Sequence, residues 1–266
     1  MSFWIPPPNG GSAPLTKNEI REESVENRTI YLYDDDVGRV EYVDHMGSDI
    51  TVVNSARVSF GVQKEEVDDG DKRLINYLVG HRHTSTLEHS LVTFRFVVPL
   101  FIRSQHHRHR TWSYNEISRR YTDVDIKFYS PEEYREQSKS NRQASTKETF
   151  VPHKYIGSID CRMNLVNAVE AHHKESILLY NNLLGAGVCR EQARGVLPQN
   201  MYTQYYGTAN LNNLLKFIEL RKHAGAQWEM QKVADAVLQI CEELFPITVQ
   251  AWKKSTTTST ATIQSS

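Results

Sequence analysis

The stretch "SLVTFRFVVPLF", residues 90–101, constrains this chain most. Val92, Phe94, Phe96 and Val98 recur at the two-residue period of a strand, so a sheet must bury the face they share. Pro99 cannot donate to a neighbouring strand and ends the element, while its missing N–H suits the opening of a helix. A buried strand therefore runs straight into a helix, and that helix leads into "HHRHRTWSYNEISRRY", His106 to Tyr121.

From Arg103 to Arg120, five arginines, at 103, 108, 110, 119 and 120, stand against one acid, Glu116, a local formal charge of +4. The 266-residue chain has Lys+Arg 31 and Asp+Glu 32, a net charge of -1, so it has no chain-wide field for wrapping nucleic acid or lying on an anionic membrane. Any anion is held locally. Continued from Pro99, the helix puts Gln105, Arg108 and His109 on one face. Arginine's planar fork fits phosphate oxygens two at a time. A solvated basic face or an RNA-contacting strip is the rival reading. Ser113, Asn115, Glu116 and Ser118 weigh against it, because a carboxylate repels a phosphate backbone unless it serves a specific donor. These residue types suit a pocket for one small phosphorylated molecule with a polar ring.

His81, His83, His89, His106, His107 and His109 crowd into the same region, but no HExxH is present and no cysteine is near, so no metal is expected. His83 reads as a hydrogen-bonded loop histidine or as a catalyst. Cys161, Cys189 and Cys241 are odd in number and widely spaced, in what look like helix interiors, which points to packing rather than disulfides or zinc.

The remaining elements alternate in type. A strand is expected at "RVEYVDHMG" and helices at "DITVVNSARVSF", 71–80, 160–184 and 189–195; then a strand at "MYTQYYGT" and helices at 209–224 and 227–244. On the helix after 209, Leu211, Leu214 and Ile218 form an apolar stripe that Arg221 continues. An unpaired charge there is costly, so Arg221 either pairs with a core carboxylate or points into a ligand site. Arg194 is a further candidate, with a solvent-facing helix end as its alternative. Residues 130–157 look like a polar insertion. The expected organisation is a flexible segment 1–29, one domain over 30–253 and a disordered tail 254–266. With no signal peptide and no run long enough to span a bilayer, the chain reads as soluble and cytoplasmic.

"RHRTWSYNEISRR" at 108–120 resembles the signature of the flavin-dependent thymidylate synthases, the ThyX family. "SARVSF" at 55–60, "HTSTLEH" at 83–89, "RGVLPQNMYTQ" at 194–204 and "LRKHAGAQWE" at 220–229 are similar to it as well, so the resemblance covers roughly 38–252. It implies an α+β domain with helices covering a mixed, largely antiparallel sheet. It further implies a methyltransferase that converts dUMP to dTMP, with methylene-tetrahydrofolate as carbon donor, FAD as hydride carrier and NADPH as reductant. It implies a homotetramer whose active sites are shared between subunits, with no nucleic-acid or membrane partner.

Carried over motif by motif, the resemblance assigns Gln105, Arg108, Glu116, Ser118, Arg119, Arg120, Arg194 and Arg221 to dUMP. It assigns Ser85, Glu88, Arg108, His109, Arg110, Glu116, Asn210 and Asn212 to FAD, and catalytic roles to Arg221, which would polarise the uracil, and to His83. Ser85 replaces a common threonine, and Asn212 and Lys216 stand where Arg and Asn or His are expected. The unrelated folate-dependent thymidylate synthases need a cysteine nucleophile, and no cysteine here has an electropositive, ligand-like setting.

Overall fold

A computed structural model describes residues 28–120, 125–139, 145–155 and 162–264. Cys161, Tyr121 and nearly all of the 1–29 segment lie outside the described residues. The fold is α+β. Its sheet has five strands in the order β1 (Thr29–Tyr31), β2 (Arg39–Met46), β3 (Leu91–Pro99), β9 (Tyr202–Asn210) and β4 (Ser113–Glu116), and every pairing is antiparallel.

The alternation in β3 does what its spacing predicts. Val92, Phe94, Phe96 and Val98 are fully buried, while Thr93 and Arg95 on the other face bond to Thr208 and Glu41. Phe96 lies opposite Tyr205 in the register, their rings stacked at 5.2 Å. Gly207 is required beside them, because a Cβ there would come within 2.9 Å of the Phe96 ring.

Helices cover this face. They are α1 (Asp49–Arg57), α2 (Asp69–Gly80), α3 (Leu100–His106), α6 (Leu211–Lys222), α7 (Trp228–Leu244) and α8 (Pro246–Gln264), while α4 (Leu165–Gly185) and α5 (Arg190–Ala193) pack in a second cluster around Tyr180, Ala193, Leu197 and Met201. On α6, Leu211, Leu214 and Ile218 are fully buried as the stripe predicts. Asp71 sits at the positive end of α2, buried and paired with Arg57 and Lys64, which hold its carboxyl well below the usual range.

The structure departs from expectation at two places and adds detail at three. The helix from Pro99 stops at His106, so Gln105, Arg108 and His109 do not share a helical face. In a longer helix the His106 carbonyl would accept from residue 110; here it takes the His109 N–H at 2.9 Å, with the Tyr114 hydroxyl 2.9 Å away. The C-terminal segment is helical through Gln264: Thr256 and Thr257 bond back to the carbonyls of Trp252 and Lys253, and the buried Asp49 carboxylate accepts from the Ile247 and Thr248 N–H groups at the start of α8. Cys189 is exposed at the N-cap of α5, whereas Cys241 is fully buried with its thiol pushed up to about 12. Among the described residues of 130–157, β5 (Tyr134–Gln137) pairs with β6 (Ser145–Phe150), and β7 (His153–Tyr155) pairs with β8 (Arg162–Asn164). Finally, Thr29 already belongs to the sheet.

Candidate active site

The interleaving in "SYNE" is a strand effect. Ser113, Tyr114, Asn115 and Glu116 form edge strand β4 against β9, so Ser113 and Asn115 turn to one face while Tyr114 and Glu116 turn to the other. Glu116 is pinned by two donors on one oxygen: Arg103 Nε at 3.1 Å and Thr203 Oγ1 at 2.7 Å both reach Oε1. Its Oε2 remains to accept from a ligand. Sequence reasoning counted Arg103 as one more positive charge and missed Thr203; neither tie has a periodic signature.

Beyond β4, Ser118 Oγ accepts from the Arg120 N–H and Nε at 3.3 and 3.4 Å, and Arg119 is buried. Arg108 and Arg110 are exposed on the turn that joins α3 to β4. Arg194 is exposed at the start of a 3-10 turn, Arg194–Val196.

Arg221 is half-buried at the end of α6 and meets no carboxylate among the described residues. Its Nε donates to His109 Nε2 at 3.0 Å and its Nη2 to the Gln105 carbonyl at 3.3 Å. One edge of the guanidinium is thereby fixed and Nη1 is left for a ligand. Burial and then the Arg221 charge lower the His109 pKa to about 4, so at neutral pH its ring is uncharged and Nε2 can accept. Burial also depresses Arg221 below its ordinary value. His106 is fully buried between Phe96, Trp112 and Phe217, its Nδ1 2.8 Å from the Tyr205 hydroxyl, and burial holds it well below a normal histidine. Its role is packing.

Gln105 reaches into a second network. Its Nε2 donates to Gln227 Oε1, and Gln227 Nε2 donates to Glu229 Oε2 at 3.0 Å. Glu229 is buried and also accepts from Tyr129 at 3.1 Å and Arg135 at 2.6 Å. The segment that looked like an insertion thus supplies a partner to the site's foundation.

His83, Asn212 and Lys216 line a separate cavity of about 470 Å³ with Arg82, Glu219 and Trp252. Buried Asn212 donates to Glu88 Oε1 at 2.9 Å, and Asn210 caps α6 by accepting from the Asn213 N–H at 3.0 Å, leaving its own amide N–H groups for other partners. Ser85 is exposed on the 3-10 turn beside them, Thr84–Leu87. At 100° per residue, Asn212, Lys216 and Glu219 lie on one side of α6 and Arg221 on the opposite side, about 14 Å further along than Asn212. One chain therefore does not gather His83, Asn212 and Arg221 around one point. Among the described residues, no group of three or more His, Cys, Asp or Glu could hold a metal ion, and no helix is long and apolar enough to cross a membrane.

A family model described as "Thymidylate synthase complementing protein" matches residues 41–247. The chain is 41% identical over 219 residues to a flavin-dependent thymidylate synthase of Thermotoga neapolitana, covering 82% of this chain and 92% of that one. It is 40% identical over 221 residues to one of Thermus thermophilus, covering 82% and 77%. In three dimensions it is similar to PolB of Streptomyces cacaoi, a UMP/dUMP methylase solved with 5-Br dUMP, with a TM-score of 0.69, 32% identity and coverage of 85% and 97%.

Proposed function

The chain belongs to the Thymidylate synthase complementing protein family, and on that premise we propose that it is a flavin-dependent thymidylate synthase, a methyltransferase that converts dUMP to dTMP. The observation that carries this reading is Arg221. A half-buried guanidinium fixed along one edge, with no carboxylate partner among the described residues, keeps a positive, preorganised donor for a substrate oxygen. Pointed at a uracil carbonyl, Nη1 stabilises the negative charge that appears when the ring imide loses its proton, which makes the ring carbon a better nucleophile.

In this reading Gln105, Arg108, Ser118, Arg119 and Arg120 bind dUMP, the arginine forks taking its phosphate, and Glu116 accepts from the nucleotide through Oε2. Arg194 comes from a neighbouring subunit. Ser85, Glu88, Arg108, His109, Arg110, Glu116, Asn210 and Asn212 hold FAD, and His83 stands beside it as a second catalytic group. The cavity at His83 fits such a group, with Leu78, Leu87 and Trp252 as apolar wall, Asn212 as polar contact and Lys216 as cation. When bound, FAD supplies hydride transfer, with NADPH as its reductant and methylene-tetrahydrofolate as the carbon source. The placement of Arg221 and Asn212 on opposite sides of α6 supports active sites shared between subunits of a homotetramer.

Protein incubated with FAD and then freed of unbound FAD is expected to stay yellow and to oxidise NADPH faster when dUMP is present. A protein that stays colourless with FAD and binds RNA with steep salt dependence would overturn the reading in favour of an RNA-binding module.

A further inference from the structure

Helix α2 ends in a way that calls for glycine and does not have one. The N–H of Arg82 bonds to the Val79 carbonyl at 3.1 Å and that of His83 to the Leu78 carbonyl at 2.8 Å, the paired bonds of a Schellman stop. Such a stop puts its penultimate residue in the left-handed region, and Arg82 has φ +57°. A side chain there strains the backbone, which is why glycine usually occupies the position. An arginine held there needs a reason beyond the turn.

Its surroundings offer one. Arg82 lines the 470 Å³ cavity next to His83, and Lys216 lines it from α6. Neither cation has an ion-pair or hydrogen-bond partner for its side chain among the described residues. The remaining lining is mainly apolar, from Leu78, Val79, Leu87, Leu215 and Trp252, with Glu219 the one acid. Two exposed cations at the rim of a mainly apolar cavity, neither engaged by another described residue, suit a flat ring that ends in phosphate, and a guanidinium fork matches phosphate oxygens.

We propose that Arg82 is a binding residue for the phosphate of a nucleotide cofactor seated in this cavity, with Lys216 as the second cation. The proposal rests on the thymidylate synthase reading for its two possible ligands, the diphosphate of FAD and the phosphates of NADPH. A strained backbone at Arg82 is kept because the side chain contributes to binding.

The test compares wild type with Arg82→Gly. This substitution removes the fork and relieves the turn, so the cofactor-free variant is expected to unfold at the same temperature or higher. The dissociation constant for FAD, read by flavin fluorescence, is expected to rise about ten-fold or more if the flavin phosphates are the ligand. If NADPH is the ligand, its KM rises by a similar factor while FAD binding holds. Arg82→Asn, which also tolerates the left-handed region, is expected to give the same loss and replaces the glycine variant should that not fold. A folded variant that keeps both constants within two-fold overturns the assignment of Arg82 alone. A wild-type protein that binds neither nucleotide overturns the functional reading and this proposal together.

Discussion

Arg221 donates its Nε hydrogen to Nε2 of His109 across 3.0 Å, joining the end of α6 to the turn after α3. The bond needs a neutral imidazole, and burial together with the arginine's own charge makes it neutral. The arginine thereby holds its acceptor ready and stays aimed.

Arg221→Ala is expected to lower turnover by about 100-fold or more, the scale seen when one preorganised donor to a developing charge is lost, while flavin binding is retained. Single-turnover kinetics on flavin-loaded protein check this. Unchanged turnover would remove Arg221 from its assigned role.

The same pair sets a pH dependence. His109 titrates at about 4 in the folded protein and near 6.5 in an unfolded chain. Between those values the unfolded state takes up a proton that the folded state refuses. Stability is therefore full above about pH 6.5 and falls as pH drops toward 4, with buried His106 acting in the same direction. Thermal unfolding from pH 7.5 to 4.5 is expected to show a declining Tm, and Arg221→Ala is expected to raise the His109 pKa in an NMR titration. A His109 that titrates near 6.5 in the wild type contradicts the account.

Glu229 acts on the site through Gln227, which accepts from Gln105. As a positioning residue, its replacement in Glu229→Gln is expected to raise the KM for dUMP several-fold with a smaller change in kcat, and to cost about 2–3 kcal/mol of stability because Arg135 loses its buried partner. Steady-state kinetics beside thermal melts separate the two effects. A melt that shifts while KM stays constant would limit Glu229 to a structural role.

Cysteine chemistry should be dispensable. Cys241 is buried with its thiol pushed up to about 12, so it is not a thiolate at neutral pH. Replacing Cys161, Cys189 and Cys241 together with alanine is expected to leave dUMP methylation within a few-fold and to cost about 1–2 kcal/mol from the cavity at Cys241. A folded, flavin-bound triple variant without activity would sink the thiol-free mechanism.

Periodic features were legible and tertiary ties were not. Strand β3, strand β9 and the stripe of Leu211, Leu214 and Ile218 follow directly from spacing, because burial on one face repeats at the element's own period. Strand β4 was hidden: its four residues are polar and it pairs at a sheet edge, so no hydrophobic alternation marks it. The threonine runs of the C-terminal helix look like low complexity in sequence, whereas their hydroxyls bond within the helix and Asp49 caps its start from across the chain. Motif resemblance named Gln105, Glu116 and Arg221 as site residues. The partners that orient them, Gln227, Thr203 and His109, lie 122, 87 and 112 positions away, and no local pattern links them. Arg82 escaped notice because its signal is a backbone angle.

The central claim is tested most directly by chromatographic measurement of dTMP formed from dUMP, methylene-tetrahydrofolate and NADPH, with and without FAD. The account predicts dTMP that accumulates only when FAD is bound and that persists in the cysteine-free protein. Formation of dTMP by flavin-free protein, or none by folded protein loaded with FAD, would contradict it.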